Sequence, residues 1–140
     1  PKTVGPAIER IIQYNTSGTA AFLQQGCAVA LDEGEDFIAA QVAKARANRD
    51  LVAAALREHP QIRFELPRGA FYMFFALDGM TDSLATTYRI IDEAGIGLAP
   101  GGTFGPGGEG FLRMCFLRDP AKLGEAMDRF STWLKTSKPV

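Results

Sequence analysis

The apolar residues of this chain change their period at His59-Pro60, and that change commits the fold to helices first and to mixed α and β structure afterwards. Ahead of it, from Glu35 to Glu58, Ile38, Val42, Ala45, Val52 and Leu56 recur at helical spacings, with Arg49 interrupting the seam. Lys44, Arg46, Asn48 and Arg57 fall on the opposite side and are expected in solvent. The residue before a proline avoids the helical region, so the long helix stops at His59. Beyond it, Ala70-Phe71-Tyr72-Met73-Phe74-Phe75-Ala76-Leu77 is an unbroken apolar run of strand length, the pattern of a strand covered on both faces.

The remaining segments fill in around that division. Pro6 suits a first helical turn, and Ala7, Ile8, Ile11 and Ile12 give that helix an apolar side until Asn15-Thr16-Ser17-Gly18 breaks it. A second helix from about Thr19 to Asp32 is expected to bury Phe22, Leu23, Cys27, Ala28 and Leu31. Gln61 to Leu66 reads as an edge strand with Ile62, Phe64 and Leu66 on one face, and Pro67-Arg68-Gly69 turns the chain. Asp82 caps a helix whose expected core side is Leu84, Tyr88, Ile91 and Ala94, closed by Gly95. Ile96 to Ala99 and Phe111 to Leu117 are strands, and Asp119-Pro120 opens a last helix on Leu123, Met127, Phe130 and Leu134. The sum is an α+β fold with helices packed on a small sheet.

Composition removes several function classes. A net charge of -1 over 140 residues gives no field to recruit nucleic acid or an acidic membrane surface. Two separate cysteines, Cys27 and Cys115, and one histidine, His59, cannot build a zinc site, so no metal is expected. The cysteines read as small buried hydrophobes in a reducing, cytoplasmic setting. Beginning at Pro1, without a methionine, the chain reads as a cut piece.

Arg113 is the residue that most demands chemistry. On a strand it shares a face with Phe111 and Cys115, and a guanidinium among apolar neighbours needs an anion. An internal acid such as Glu65, Asp78 or Glu109 is one answer, and a ligand carboxylate matched by the planar fork is the other. The glycine-rich stretch from Gly101 to Gly110 lacks a phosphate-loop ending and leads into a strand, not a helix. It is either a flexible connection or a mobile loop at a site mouth, with Gly102, Thr103 and Phe104 as its contacts. Thr16 and Ser17 suit a helix break, and Tyr72 can bond a backbone carbonyl. No Ser/His/Asp or Cys/His set can be assembled.

Three strings, taken in order, resemble the C-terminal region of class I/II aminotransferases, the fold-type I enzymes dependent on pyridoxal phosphate (PLP). They are Tyr14-Asn15-Thr16-Ser17-Gly18-Thr19 before an alanine-rich helix, Arg68-Gly69-Ala70-Phe71-Tyr72-Met73-Phe74, and Gly97-Leu98-Ala99-Pro100-Gly101-Gly102-Thr103-Phe104-Gly105 followed by Gly110-Phe111-Leu112-Arg113-Met114-Cys115-Phe116. The resemblance implies the small C-terminal domain over residues 35–140, entered by the long interdomain helix. Residues 1–34 would then be helices from the end of the large domain, near a dimer interface. It implies that Arg113 grips the substrate's α-carboxylate, that Tyr72 lines the substrate side, and that Thr16 and Ser17 approach the cofactor phosphate of a neighbouring subunit. The implied partners are an amino acid, a 2-oxo acid, the missing N-terminal large domain and a twin subunit.

One departure matters. None of Lys2, Lys44, Lys122, Lys135 and Lys138 lies in the family's Ser-rich lysine motif, so the residue that binds PLP covalently is expected outside this chain. The segment is then inactive alone. A stand-alone α+β module that binds an amino acid or organic acid, and an interaction domain, are the alternatives from other classes.

Overall fold

The computed structural model describes residues 2–140; Pro1 lies outside them. The chain divides into two compact units, Pro1–Gln41 and Val42–Val140.

The first unit holds α1 (Gly5–Asn15), α2 (Ala21–Glu33) and the opening turns of α3 (Glu35–Arg57). Both breaks fall where turn-forming residues put them, and Ser17 takes a left-handed φ of 55° just past α1. The burial expected on α2 is absent. Phe22 is 75% exposed and Leu31 82%, Leu23, Cys27 and Ala28 are also exposed, and no residue of α1 or α2 is buried. Two short helices cannot bury an apolar stripe without a further surface to set it against.

The second unit has one core. Its sheet runs in the order β1-β2-β4-β3, antiparallel throughout, from β1 (Ile62–Phe64), β2 (Tyr72–Leu77), β3 (Ala99–Pro100) and β4 (Phe111–Cys115). Pairing sets Met73 opposite Met114 and Phe75 opposite Leu112, and all four are buried. Against that face lie Val52, Ala53 and Leu56 of α3, Ile90 of α4 (Ser83–Ala94), and Leu123, Met127, Phe130, Trp133 and Leu134 of α5 (Pro120–Thr136). Phe75 and Phe130 meet edge to face at 5.9 Å. Fully burying a side chain of that size contributes about 2–3 kcal/mol.

Several details depart from the sequence reading. Only the C-terminal half of the α3 seam is buried; Ile38 and Val42 are exposed. Asn48, expected in solvent, is 1% exposed, because its amide donates to the carbonyls of Phe116 at 2.8 Å and Arg118 at 2.9 Å. It satisfies backbone groups just past the end of β4. His59 is also buried, with Nε2 2.9 Å from the Ser131 hydroxyl, and burial, helped by Lys135, lowers its pKa.

Helix α4 is turned round from the expected face. Leu84, Tyr88 and Ile91 point outward and only Ala94 of the expected side packs on the core, while Ser83, Thr86, Thr87 and Ile90 are buried. The hydroxyls can enter because each finds a partner. Thr87 donates to the Ser83 carbonyl at 2.7 Å, and Thr86 accepts from the Val140 N–H at 2.9 Å. The caps are as expected, with the Asp82 carboxylate accepting from the Ala85 N–H and Gly95 left-handed at φ 65°. Asp119 likewise accepts from the Ala121 and Lys122 amides at the start of α5. Leu66 is exposed, β3 is shorter than Ile96–Ala99, and β4 ends at Cys115 rather than Leu117.

The apolar run in β2 was expected to be covered on both faces. Within this unit the helices pack on one face, and on the other Tyr72 is half-buried and Phe74 exposed. That second face carries the candidate site.

Candidate functional site on the open face of the sheet

Strand parity places Tyr72, Phe74 and Ala76 of β2 beside Cys115, Arg113 and Phe111 of β4, all on the side away from the core. Phe74 stacks on Phe111, with centroids 4.9 Å apart and rings within 1° of parallel. Phe104 meets Phe74 edge-on at 6.2 Å. Arg113 stands directly opposite Phe74 and is half-buried. Its Cζ lies 4.2 Å from the Tyr72 ring centroid and 4.1 Å from that of Phe104. Two aromatic faces thus hold the cation, each contributing about 0.5–1 kcal/mol or somewhat more where water is excluded.

None of the three acids considered for Arg113 is its partner. Asp78 pairs with Arg63 at 2.7 Å, Glu109 is turned to Ser83, and Glu65 forms no ion pair among the described residues. Two rings therefore lie against the guanidinium, and no carboxylate of the described residues forms an ion pair with it. Tyr72 contributes its ring to that arrangement.

The glycine-rich stretch is not a slack connection. It winds into two 3-10 turns, Gly101–Phe104 and Pro106–Gly108. Gly101 and Gly108 are buried against each other, and a methyl on Gly101 would overlap the Gly108 carbonyl oxygen and lie 2.5 Å from that of Phe111. Only glycine permits so close a backbone approach. The Thr103 hydroxyl is used inside the turn, donating to the Pro100 carbonyl. Phe104 is the residue of the stretch that reaches the site.

Glu109 fastens this loop to α4. Its carboxylate accepts from the Ser83 N–H at 2.6 Å and the Ser83 hydroxyl at 3.2 Å, and that hydroxyl accepts from the Gly102 N–H at 3.3 Å. The Ser83 backbone bond, then the Ser83 hydroxyl, hold the Glu109 pKa below its ordinary 4.5. A carboxylate depressed on folding contributes stability above its unfolded pKa and loses it as pH falls through the folded value. The advantage of the wild type over Glu109→Gln in urea unfolding midpoint is thus expected to be full at neutral pH and to shrink below pH 4.5. An advantage that stays constant on acidification would show that the charge is not what holds the loop.

Thr16 and Ser17 lie in the first unit, where their hydroxyls donate to the carbonyls of Ile12 and Gln13, each at 3.1 Å. They close the end of α1. Both cysteines are free and exposed, contrary to the expected burial, and Cys115 ends the open-face row of β4. No group of His, Cys, Asp and Glu among the described residues could hold a metal, and none of the described helices is long and apolar enough to cross a membrane.

No family model matches the chain. It is 31% identical to an LL-diaminopimelate aminotransferase of Nitratidesulfovibrio vulgaris over 92% of the chain and 33% of that protein. It is 32% identical to aromatic-amino-acid aminotransferase 2 of Thermococcus litoralis over 100% of the chain and 36% of that protein. The chain is a relative of the aminotransferases. It spans about a third of the length of the curated relatives it matches. Its fold superposes on an aromatic aminotransferase of Pyrococcus horikoshii with a TM-score of 0.81 at 30% identity, covering 91% of the chain and 35% of that structure. An aspartate aminotransferase of Thermotoga maritima gives 0.77 at 28% identity, with 95% and 33% covered. The helices and small antiparallel sheet of the second unit thus share the fold of a part of these aminotransferases.

Sequence reasoning misses the part of Phe74 in the site, and Phe111 and Glu109, both named beside Arg113, take other parts than the sequence suggested, a stacking ring and a tie to Ser83. Phe74 and Phe111 share parity with Tyr72 and Arg113, so strand alternation marked their face, but the β2–β4 register that stacks them is not written in either strand. Glu109 carried a weaker sign, as the one acid within a run of glycines.

Proposed function

We propose that this chain is the C-terminal segment of a PLP-dependent aminotransferase. Such an enzyme moves an amino group between an amino acid and a 2-oxo acid, with PLP serving as the electron sink when bound. The observation that carries the reading is Arg113, whose guanidinium is clasped by two rings and free of internal acids. A carboxylate is the anion its fork fits best, through two parallel charge-assisted hydrogen bonds. Arg113 binds and orients that carboxylate, and Tyr72 shapes the approach to it.

The residues present do not make a PLP site. The cofactor calls for a lysine amine and an acidic or basic partner for its ring nitrogen. In the second unit Lys122 and Lys135 sit on α5, which packs on the core face of the sheet, and Lys44, Lys122, Lys135 and Lys138 are all exposed. No step of the reaction is therefore assigned to this chain beyond holding the substrate's carboxylate. The lysine and the rest of the cofactor pocket belong, in this reading, to an N-terminal large domain. That domain and a twin subunit in a cytoplasmic homodimer would cover Ile8, Ile11, Ile12, Phe22 and Leu23, and Thr16 and Ser17 would approach the partner's cofactor phosphate.

The test compares the full-length protein with residues 1–140 alone, each given PLP, a panel of amino acid donors and a 2-oxo acid. The full-length protein is expected to transfer the amino group, and the segment to show neither turnover nor a stable cofactor absorption band. Turnover by the segment alone would overturn the division of labour. An unrelated domain upstream, with tight binding of free amino acids and no transfer, would favour the ligand-binding module.

A further inference from the structure

We propose that Phe104 and Tyr72 are positioning residues: they clamp the Arg113 guanidinium so that only its edge is presented, and the Ser83–Glu109 contact holds the Phe104 half of the clamp in place. The inference rests on the carboxylate reading of Arg113 and adds to it how the cation is aimed. Two ring centroids lie about 4 Å from one Cζ, well inside the range of ~6 Å for cation–π attraction. A guanidinium held between two rings keeps its in-plane N–H groups for an approaching anion, which is the geometry a planar carboxylate needs. An unclamped arginine would have to give up several side-chain rotations on binding; this one has already given them up.

The two rings are supported differently. Tyr72 is fixed by the β2–β4 ladder, two residues before Phe74. Phe104 is half exposed and stands on a 3-10 turn, so its position depends on what holds the turn. One hold is the packing of Gly101 on Gly108. The other is the chain of hydrogen bonds from Gly102 N–H to the Ser83 hydroxyl and on to the Glu109 carboxylate. The first turn of α4 is thereby connected to the aim of Arg113 without touching it.

The probes are 3-phenylpropionate and 3-phenylpropionamide, a carboxylate and its uncharged match, titrated by calorimetry into the full-length protein and its variants. Phe104→Leu keeps apolar bulk but removes the ring. It is expected to weaken the carboxylate about fivefold and leave the amide unchanged, while Phe104→Tyr behaves as wild type. Glu109→Gln is expected to act in the same direction by a smaller factor. A purely structural role would shift both probes together, and that result overturns the proposal. If Arg113→Lys weakens the carboxylate but Phe104→Leu does not, the clamp falls and the carboxylate reading stands. If Arg113→Lys leaves the carboxylate unaffected, both fall.

Discussion

Arg113→Lys in the full-length protein is expected to lower kcat/KM by about 100-fold, a loss of about 3 kcal/mol in transition-state binding. Lysine keeps the charge but is a point donor, so the second of two parallel hydrogen bonds is lost and the grip can rotate. Among the described residues Arg113 forms no ion pair, and its contacts are the rings of Tyr72 and Phe104. An ammonium can still lie over those rings, so the unfolding free energy is expected to change by only about 1 kcal/mol. Steady-state kinetics and a denaturant melt on the same preparation separate the two effects. Unchanged efficiency would remove Arg113 from the reaction; a parallel collapse of stability would make it a structural residue.

Gly101→Ala is expected to cost about 3 kcal/mol of stability, at the upper end of overpacking penalties. The added methyl meets main-chain atoms, the carbonyls of Gly108 and Phe111, rather than the end of a flexible side chain. Relief requires the 3-10 turns to separate or β4 to shift, and Phe104 rides on the first of those turns. The same substitution should therefore weaken carboxylate binding in whatever fraction of the protein stays folded. Gly105→Ala is a useful contrast. Nothing lies within 4 Å of a methyl there, and its penalty comes from the backbone, whose φ of 117° suits glycine. A Gly101→Ala protein with wild-type stability would mean that the two turns are not packed as tightly as their glycines indicate.

What the sequence disclosed, it disclosed through period and punctuation. Alternation in Phe111-Leu112-Arg113-Met114-Cys115 put Arg113 on the face of Phe111 and Cys115, and the strand has that parity. The stripe Leu123, Met127, Phe130 and Leu134 is the buried side of α5, and Asp82, Gly95 and Asp119 cap where their chemistry says they should. Helix α4 resisted because two faces were plausible. Leu84, Tyr88 and Ile91 looked like its core side, but Ser83, Thr86 and Thr87 are short, and partners at Glu109, Val140 and the Ser83 carbonyl made them cheaper to bury than their polarity suggests. Asn48 resisted for a similar reason, since its acceptors, Phe116 and Arg118, are distant in sequence. The burial assigned to α2 failed because a stripe reports what a helix would cover, not whether this chain supplies the cover. At the site, the placement of Arg113 on the face of Phe111 and Cys115 was legible, whereas the rings against it depend on a register and a loop conformation that no local pattern encodes.

The clamp is built almost wholly from one short stretch, Gly101 to Cys115, with a single ring lent by the neighbouring strand. On the carboxylate reading proposed for Arg113, a grip so compact would read only what every amino acid has in common and be indifferent to what distinguishes one from another. Segments elsewhere in such a protein would then set the donor, and relatives named for LL-diaminopimelate, aromatic amino acids and aspartate each match this chain over about a third of their own length.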